Sequence, residues 1–165
     1  MADNQEVITQ SAFETQKLGE KIGADLRTGT VIALYGNLGS GKTTFIQGLA
    51  VGLGIKERIL SPTFVLMREY EISPSRSPFG HLGGGEATTS TPARCSTLYH
   101  VDLYRIRDEK DTESLGLQEL LSDPTNIIVI EWPEKISNML SKNHIDIYFN
   151  YLEENERKIT IKVNQ

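Results

Sequence analysis

One glycine-rich stretch carries the residues whose types and spacing indicate chemistry. It matches the phosphate-binding pattern G-x-x-x-x-G-K-[ST] at every fixed position, and its residues are Gly36, Asn37, Leu38, Gly39, Ser40, Gly41, Lys42, Thr43 and Thr44. Glycines let the backbone curl so that successive N–H groups point at phosphate oxygens. Lys42 reaches the β- and γ-phosphates as a point charge, and the Thr43 hydroxyl is placed to coordinate Mg²⁺. The stretch therefore predicts the binding of a nucleoside triphosphate.

The flanks of this stretch favour a true phosphate-binding loop over a glycine-rich turn that fits the pattern by chance. Val31–Tyr35 is a short apolar run of strand-forming residues that leads straight into the loop. Residues 42–53 contain no proline, place apolar side chains at helical spacing and are closed by Gly52 and Gly54. Strand, loop and helix follow in the order that a phosphate site requires, and the helix N-terminus adds partial positive charge.

Two acidic residues, Asp102 and Glu131, stand where the rest of such a site is expected. They lie at the ends of apolar runs that predict strands at 97–102 and 126–132, and ligands bind beyond the carboxyl ends of strands in an open α/β sheet. Mg²⁺ needs one or two protein oxygens besides those of the phosphates. One acid is expected to hold the metal and the other to orient the attacking water, and the division stays open. Alternatively, Glu131 merely ends a strand and Asp102 is a turn or cap residue.

Four further residues each have a functional and a structural interpretation. Thr63, fixed at a turn by the preceding proline, either senses the γ-phosphate or stabilises the turn. Arg105 either offsets phosphate charge or is a solvated surface residue. Trp132 either stacks on a partner or fills the core, and the core is favoured. His100 is expected to be structural or to support a neighbouring side chain, because no other histidine lies at ligand spacing.

The periodicity of the chain predicts an α/β fold. We expect a P-loop NTPase-like three-layer domain with a mainly parallel central sheet and a C-terminal β-hairpin. The predicted elements are an edge strand at 6–9, helices at 12–26, 42–53, 111–121 and 133–140, strands at 31–35, 64–72, 97–102 with a continuation through 107, and 126–132, and a hairpin formed by 145–151 and 159–163 around a turn at 153–156.

The composition predicts one domain over residues 1–165 and excludes several classes of partner. The formal net charge of −5 gives no electrostatic footprint for direct, tight binding to DNA, other nucleic acid or an anionic membrane, so any nucleic-acid role needs a partner. No stretch approaches the ~18 apolar residues of a membrane span, and the single cysteine, Cys95, cannot form an internal disulfide. These features predict a cytoplasmic protein. Residues 73–96, rich in serine, proline, glycine and threonine, predict a flexible surface insertion.

Four short motifs, in this order, resemble those of the TsaE (YjeE) family. They are Gly-Asn-Leu-Gly-Ser-Gly-Lys-Thr-Thr-Phe at 36–45, Ser-Pro-Thr-Phe at 61–64, His-Val-Asp-Leu-Tyr-Arg at 100–105 and Glu-Trp-Pro-Glu at 131–134. That family consists of small bacterial ATPases required for the threonylcarbamoyl modification of the adenosine beside the tRNA anticodon. The resemblance implies ATP rather than GTP, Mg²⁺ as cofactor, and action on a TsaB–TsaD complex, with tRNA reached only indirectly.

The resemblance also implies roles for individual residues. It maps Lys42 and Thr43 onto the phosphate and metal roles, and Glu131 onto the metal-associated acid. It maps Asp102 and Thr63 onto positions near the γ-phosphate. The insertion at 73–96 departs from the compact members of the family, which connect the two flanking strands by a short segment, and its role stays open.

Two other functions remain compatible with the sequence. A small-molecule kinase has the same loop but usually carries paired arginines near its acceptor, for which Arg105 and Arg107 are the candidates. A nucleotide-switch module binds ATP to control assembly and hydrolyses it slowly. A GTPase is disfavoured because the guanine-specifying pattern Asn-Lys-x-Asp is absent from the sequence.

Overall fold

A seven-stranded sheet forms the centre of the molecule in the computed structural model, which describes residues 4–72, 96–107, 110–113 and 115–164. Its strands in chain order are β1 (Asn4–Thr9), β2 (Val31–Tyr35), β3 (Met67–Ile72), β4 (Ser96–Asp102), β5 (Ile127–Glu131), β6 (Ile145–Tyr151) and β7 (Arg157–Val163). The helices are α1 (Ala12–Asp25), α2 (Lys42–Gly52), α3 (Lys110–Glu113), α4 (Leu117–Ser122) and a 3-10 helix at Pro133–Ile136. The predicted α/β class is confirmed.

The sheet is parallel in its centre and antiparallel at both sides. Its strand order is β1-β7-β6-β2-β5-β4-β3. Strands β6, β2, β5 and β4 run parallel, whereas β1 and β7 on one side and β3 on the other pair antiparallel. The expectation of a mainly parallel sheet therefore holds only for the centre of a mixed sheet. On one side the reason is the short link at 152–156 between β6 and β7, because a parallel crossover needs a dozen or more residues.

Both faces of the sheet carry a hydrophobic core. In β2 the side chains of Ile32 and Leu34 are fully buried on the face that α1 and α2 cover. Val31 belongs to the core of the opposite face, together with Leu117 of α4 and Ile136 of the 3-10 helix. Successive side chains of a strand point to opposite faces, so a run that is apolar throughout is buried on both. The strand that leads into the glycine-rich stretch is therefore held firmly in the middle layer.

Helices α1 and α2 pack with their backbones in direct contact. A Cβ atom at Gly19 of α1 would lie 2.2 Å from the Phe45 backbone oxygen, and one at Gly48 of α2 would lie 1.8 Å from that of Gln16. Side chains cannot approach a backbone oxygen this closely, so only glycine allows the contact. The two helices form one rigid layer, and α1 supports the helix that follows the glycine-rich stretch.

The strand expected over 64–72 begins only at Met67. The residues before it form a turn in which the N–H groups of Val65 and Leu66 donate to the Pro62 oxygen at 2.9 and 2.6 Å. Leu66 has a φ of 65°, and a residue in that conformation cannot continue a strand. The β-forming side chains at 64 and 65 are therefore exposed on a turn, which overrides their propensity.

Two predicted helices are also shorter than expected. The helix predicted over 111–121 is divided into α3 and α4 because Gly116 has a φ of 61° and starts a new helix. The helix predicted at 133–140 is a 3-10 turn that ends at Ile136. In both cases the apolar spacing is compatible with a longer helix, and in the first the backbone conformation of Gly116 interrupts it.

The remaining departures are small. Helices α1 and α2 each end one residue earlier than predicted. Strand β4 ends at Asp102 instead of continuing through 107, because the N–H of Ile106 donates to the Leu103 oxygen and closes a turn. The insertion predicted at 73–96 lies outside the described residues except for Ser96, which begins β4. In the described parts of the chain, the helices are too short or too polar to cross a membrane.

Candidate functional site

The loop between β2 and α2, residues 36–41 and here called the glycine loop, contains three glycines with a positive φ, and its two ends show why glycine is needed. Gly36 has a φ of 144°, and a Cβ there would lie 2.7 Å from the Phe149 oxygen. Gly41 has a φ of 103° immediately before α2 begins. Side chains are strained in these conformations. The loop therefore brings the N-terminus of α2, whose first-turn N–H groups lack partners within the helix, to the end of β2.

Lys42, the first residue of α2, turns its ammonium group back into the glycine loop. Its Nζ donates to the carbonyl oxygens of Gly36 at 2.7 Å and Asn37 at 3.0 Å, and lies 4.4 Å from the centre of the Trp132 ring. Only 4% of the residue is exposed. Burial lowers the pKa of Lys42 below its usual 10.5, although nearby carboxylates, Glu131 foremost, oppose this change. A desolvated cation held by neutral carbonyls is well placed to take an anion as its partner.

Glu131, the last residue of β5, contacts both α2 and β4. Its Oε1 accepts a hydrogen bond from the Thr43 hydroxyl at 3.1 Å and another from the His100 Nε2 at 2.8 Å. Glu131 and His100 are both buried. Within the described residues, no donor reaches Oε2 of Glu131. The protein thus holds one carboxylate oxygen and leaves the other for a further partner.

Asp102, the last residue of β4, stands beside Glu131 in the parallel register of the sheet. Its Oδ2 accepts hydrogen bonds from the hydroxyls of Thr63 and, at 3.4 Å, Ser61. Its Oδ1 accepts from the N–H of Tyr104 at 2.9 Å. This buried carboxylate therefore connects the turn before β3 with the end of β4.

A cavity of about 150 Å³ lies where these segments meet. The residues predicted from the sequence that line it are 38–44, Thr63, Asp102 and Glu131. Gly36 and Asn37 are not part of the lining, and they contribute the carbonyl groups that hold Lys42. The structure therefore brings together segments that are far apart in the chain, at the carboxyl ends of β2, β4 and β5.

Three lining residues were given no place in the cavity by the sequence: Ser61, Tyr104 and Trp132. Trp132, favoured as a core residue, is half-buried, packs against the core that contains Val31 and also lines the cavity, with its ring centre 5.1 Å from that of Tyr104. Its backbone has a φ of 61°, and its ring lies beside the ammonium group of Lys42. The sequence does contain one signal that could have placed two of these residues at the cavity, namely their positions next to the strand-ending acids. Trp132 directly follows Glu131, and Tyr104 lies two residues after Asp102.

Arg105 lies outside the cavity lining. Its guanidinium group is 4.3 Å from the centre of the Phe64 ring, and both side chains are exposed. This arrangement favours the interpretation of Arg105 as a solvated surface residue over a contact with phosphate.

The donor set of the cavity fits phosphate oxygens and a hard cation. Thr43 and Glu131 supply neighbouring oxygen ligands, which Mg²⁺ prefers. Among the described residues, no group of three or more His, Cys, Asp or Glu side chains could hold a metal by itself. A cation here would therefore need oxygens from a ligand or from water, as Mg²⁺ does in nucleotide sites. Lys42 and the N-terminus of α2 carry positive charge beside the same cavity, which suits an anionic ligand.

Comparisons with known proteins agree with one another. The sequence profile of the family described as "Threonylcarbamoyl adenosine biosynthesis protein TsaE" matches residues 9–159. The chain is 36% identical over 154 residues to a protein of Treponema pallidum, covering 93% of this chain and 97% of that protein. It is 33% identical over 154 residues to one of Bacillus subtilis, covering 92% and 81%. Both are named tRNA threonylcarbamoyladenosine biosynthesis protein TsaE.

A solved structure is similar over the whole chain. It is the crystal structure of YdiB from Bacillus subtilis, with a TM-score of 0.72 and 27% sequence identity. The match covers 100% of this chain and 88% of the other. The region matched by the family profile includes every residue of the cavity.

Proposed function

This chain belongs to the TsaE family of tRNA threonylcarbamoyladenosine biosynthesis proteins, and from this premise we propose that it is a magnesium-dependent ATPase. The family profile and the relatives confirm the resemblance found in the four motifs. The proposal of ATPase activity rests on one observation, the convergence of a buried lysine, a helix N-terminus and two carboxylates on one cavity. The fold is proposed to be P-loop NTPase-like, with β6 and β7 as its C-terminal β-hairpin.

The phosphates of ATP are proposed to bind to residues 36–44. The glycine loop and the first turn of α2 offer N–H groups to the phosphate oxygens. Lys42 exchanges its two carbonyl partners for oxygens of the β- and γ-phosphates. This exchange is favourable because a charged acceptor compensates a desolvated ammonium group better than a neutral carbonyl does.

Thr43 and Glu131 are the proposed protein ligands of Mg²⁺, together with phosphate oxygens. When bound, the cation neutralises charge on the β- and γ-phosphates. The two side chains already share a hydrogen bond of 3.1 Å, so they need no large rearrangement to act together. The second oxygen of Glu131, which has no donor within the described residues, is available for this role.

Asp102, Thr63 and Glu131 are the proposed catalytic residues, with the work divided between the two acids. Glu131 contacts the metal-binding hydroxyl of Thr43, which supports a role in metal binding. Asp102 contacts Thr63, which supports a role at the γ-phosphate and the attacking water. Because the γ-phosphate competes for the Thr63 hydroxyl, ATP binding is expected to move the turn before β3 and to close it over the phosphate.

The proposed partner is a TsaB–TsaD complex in the cytoplasm, and tRNA reaches this chain only through that complex. The net charge of −5 supports an indirect role with tRNA. In this hypothesis hydrolysis resets the partner complex for another tRNA. The closing of the Thr63 and Asp102 segments is the step that would couple the nucleotide to the partner.

The deciding experiment measures ATP hydrolysis by the purified chain with and without TsaB–TsaD. Stimulation by the partner is expected for the wild type and for Lys17→Ala, an exposed lysine that serves as the matched control. It should vanish in Lys42→Ala and fall at least tenfold in Glu131→Ala and Asp102→Ala, on the order found when one charge-stabilising group is removed. Unchanged stimulated hydrolysis in both acid variants would refute the proposed mechanism.

The same experiment separates the two alternatives. ATP binding without stimulated hydrolysis would favour a nucleotide switch, and the hydrogen bond that links Thr63 to Asp102 across two segments suits such a switch. Turnover that rises only with a small acceptor would favour a kinase. The cavity lining in the described residues contains no arginine, which disfavours the kinase.

A further inference from the structure

His100 is fully buried on β4, the last strand but one of the sheet, and its polar contact is with Glu131. It lies on β4, two residues before Asp102, and its Nε2 is 2.8 Å from Oε1 of Glu131. We propose that His100 is a positioning residue that fixes the Glu131 carboxylate for metal binding. This inference rests on the proposed function, in which Glu131 holds Mg²⁺ with ATP.

The proposal assigns a direction to this contact. A metal-binding Glu131 is an ionised carboxylate, which only accepts hydrogen bonds, so the proposal places the proton of His100 on Nε2. The other ring nitrogen, Nδ1, is buried and has no partner among the described residues. The ring is therefore held in place by packing and by its single bond to Glu131, and it acts as a fixed donor.

The contact with His100 determines which carboxylate oxygen of Glu131 is left without a hydrogen bond and can bind a metal. Oε1 accepts from both His100 and Thr43, whereas Oε2 has no donor within the described residues. Two donors on one oxygen fix the rotation of the carboxylate. A hydroxyl can donate to Oε1 and offer a lone pair to a metal at the same time. Thr43, His100 and Glu131 thus form one hydrogen-bonded set, in which the Thr43 hydroxyl and Oε2 of Glu131 are the oxygens offered to a metal.

A purely structural role explains this residue poorly. An apolar side chain in the same space would pack against the core without leaving a nitrogen unpaired, whereas burying a polar group without a partner lowers stability. Leu98, two residues earlier on β4, shows the apolar solution on the same face of the sheet. The imidazole is therefore expected to be present for its bond to Glu131.

Two substitutions of His100 distinguish the effect of its hydrogen-bond donor from the effect of its side-chain volume. His100→Gln keeps a donor at similar reach, and His100→Phe keeps a ring but removes the donor. Leu98→Val is the matched control, because it alters the core of the same strand without touching Glu131. The probe is Mn²⁺, titrated into each protein saturated with the non-hydrolysable imido analogue of ATP. Binding of the analogue in EDTA reports the phosphate site without the metal.

We expect His100→Phe to weaken Mn²⁺ binding by roughly 10- to 100-fold, the usual effect of removing a partner of a metal ligand. Affinity for the analogue in EDTA should stay within about threefold, and His100→Gln and Leu98→Val should bind Mn²⁺ like the wild type, because metal-site support is lost only with the donor. Wild-type Mn²⁺ affinity in a folded His100→Phe variant, or equal losses in both His100 variants, would overturn the inference.

A measurement on the unmodified protein covers the case in which a variant does not fold. Nitrogen-15 NMR of the imidazole should show the proton of His100 on Nε2, and a proton on Nδ1 alone would overturn the inference. The failure of the proposed function has a different signature. In that case the wild type itself binds neither the analogue nor Mn²⁺, and both proposals fall together.

Discussion

Lys42 and Trp132 are held in arrangements that stability alone does not favour. Trp132 has a φ of 61°, which costs a residue with a side chain on the order of 1–2 kcal/mol, and it precedes Pro133, which restricts its backbone further. Lys42 is an almost fully buried ammonium group bonded to neutral carbonyls. Both lie on the wall of the cavity. Local strain of this kind collects at functional sites, where the surrounding structure holds it.

The burial of Lys42 predicts a pH dependence of stability. The folded-state pKa lies below the 10.5 of the unfolded chain, so the unfolded chain binds more protons in the interval between the two values. The difference in the free energy of unfolding between the wild type and Lys42→Met should therefore shift in favour of the wild type as pH rises through that interval. Urea unfolding of both proteins at increasing pH measures the difference. A difference that stays constant or falls would contradict the assigned cause, desolvation.

The hydrogen bond between Thr63 and Asp102 predicts that the two residues act as a unit. Thr63→Val and Asp102→Asn should each slow partner-stimulated hydrolysis, and the double variant should be little slower than the worse single one. We expect a coupling energy of about 0.5–3 kcal/mol in a double-mutant cycle on the hydrolysis rate. Ser61→Ala serves as the control. It removes the longer contact of 3.4 Å with Asp102 and should show a smaller coupling energy with Asp102→Asn. Additive effects of Thr63 and Asp102 would refute the linked pair.

Residue spacing in the sequence could identify the site residues that belong to a motif. It could not identify those that lie at the site because of the local backbone conformation or the pairing of distant strands. Lys42 and Thr43 follow from the loop pattern, and Glu131 from its position at the end of an apolar strand. Trp132, which lies on the cavity wall, has a positive φ, a conformation that its residue type does not signal. The contact between His100 and Glu131 depends on the register of two strands that are distant in the chain.

At the scale of elements, the central feature is the glycine contact between α1 and α2. The helical spacing of apolar residues predicts both helices, and it carries no information about how closely their axes approach. The glycine at position 48 indicates a close approach only once its neighbour is known, and in the structure that neighbour is the backbone of Gln16. The same limit applies to α3 and α4, where a left-handed Gly116 interrupts a continuous apolar pattern.

The substitution Gly48→Ala tests this contact, because helix propensity and the close approach of the two helices predict opposite changes in the free energy of unfolding. Helix propensity alone predicts a gain of about 1 kcal/mol from replacing glycine by alanine. The structure predicts a loss of about 1–3 kcal/mol, because the added Cβ would lie 1.8 Å from the Gln16 oxygen and would force the helices apart. Urea unfolding measures the change. Val51→Ala, at an exposed position of the same helix, should change stability by less than about 0.5 kcal/mol.

At the scale of the whole molecule, the sheet order gathers the functional loops at one edge. Strands β6, β2, β5 and β4 are neighbours and run parallel, so their carboxyl ends meet there. The Tyr151 hydroxyl at the end of β6 donates to the Gly39 oxygen and joins the last part of the chain to the glycine loop. Local pattern predicts each strand, whereas the order of the strands arises from long-range packing that the sequence does not display.

The charge of the whole chain predicts its behaviour towards tRNA. With a net charge of −5, the chain alone should not retain tRNA at micromolar concentration and about 0.15 M salt, since non-specific binding depends on phosphate neutralisation. A gel-shift titration measures this, first with the chain alone and then with TsaB–TsaD present. Tight binding of tRNA by the isolated chain would contradict the indirect role proposed for it.

Trp132 also gives the protein an intrinsic optical reporter. It is the one tryptophan of the chain, and its ring lies 4.4 Å from the Nζ atom that is expected to move when phosphates bind. Indole emission responds to a change in the position of a nearby charge. The unlabelled wild type should therefore change its tryptophan fluorescence as ATP is added, and Lys42→Ala should not. If so, the residue that is strained beside the nucleotide site lets occupancy be followed in real time without any dye.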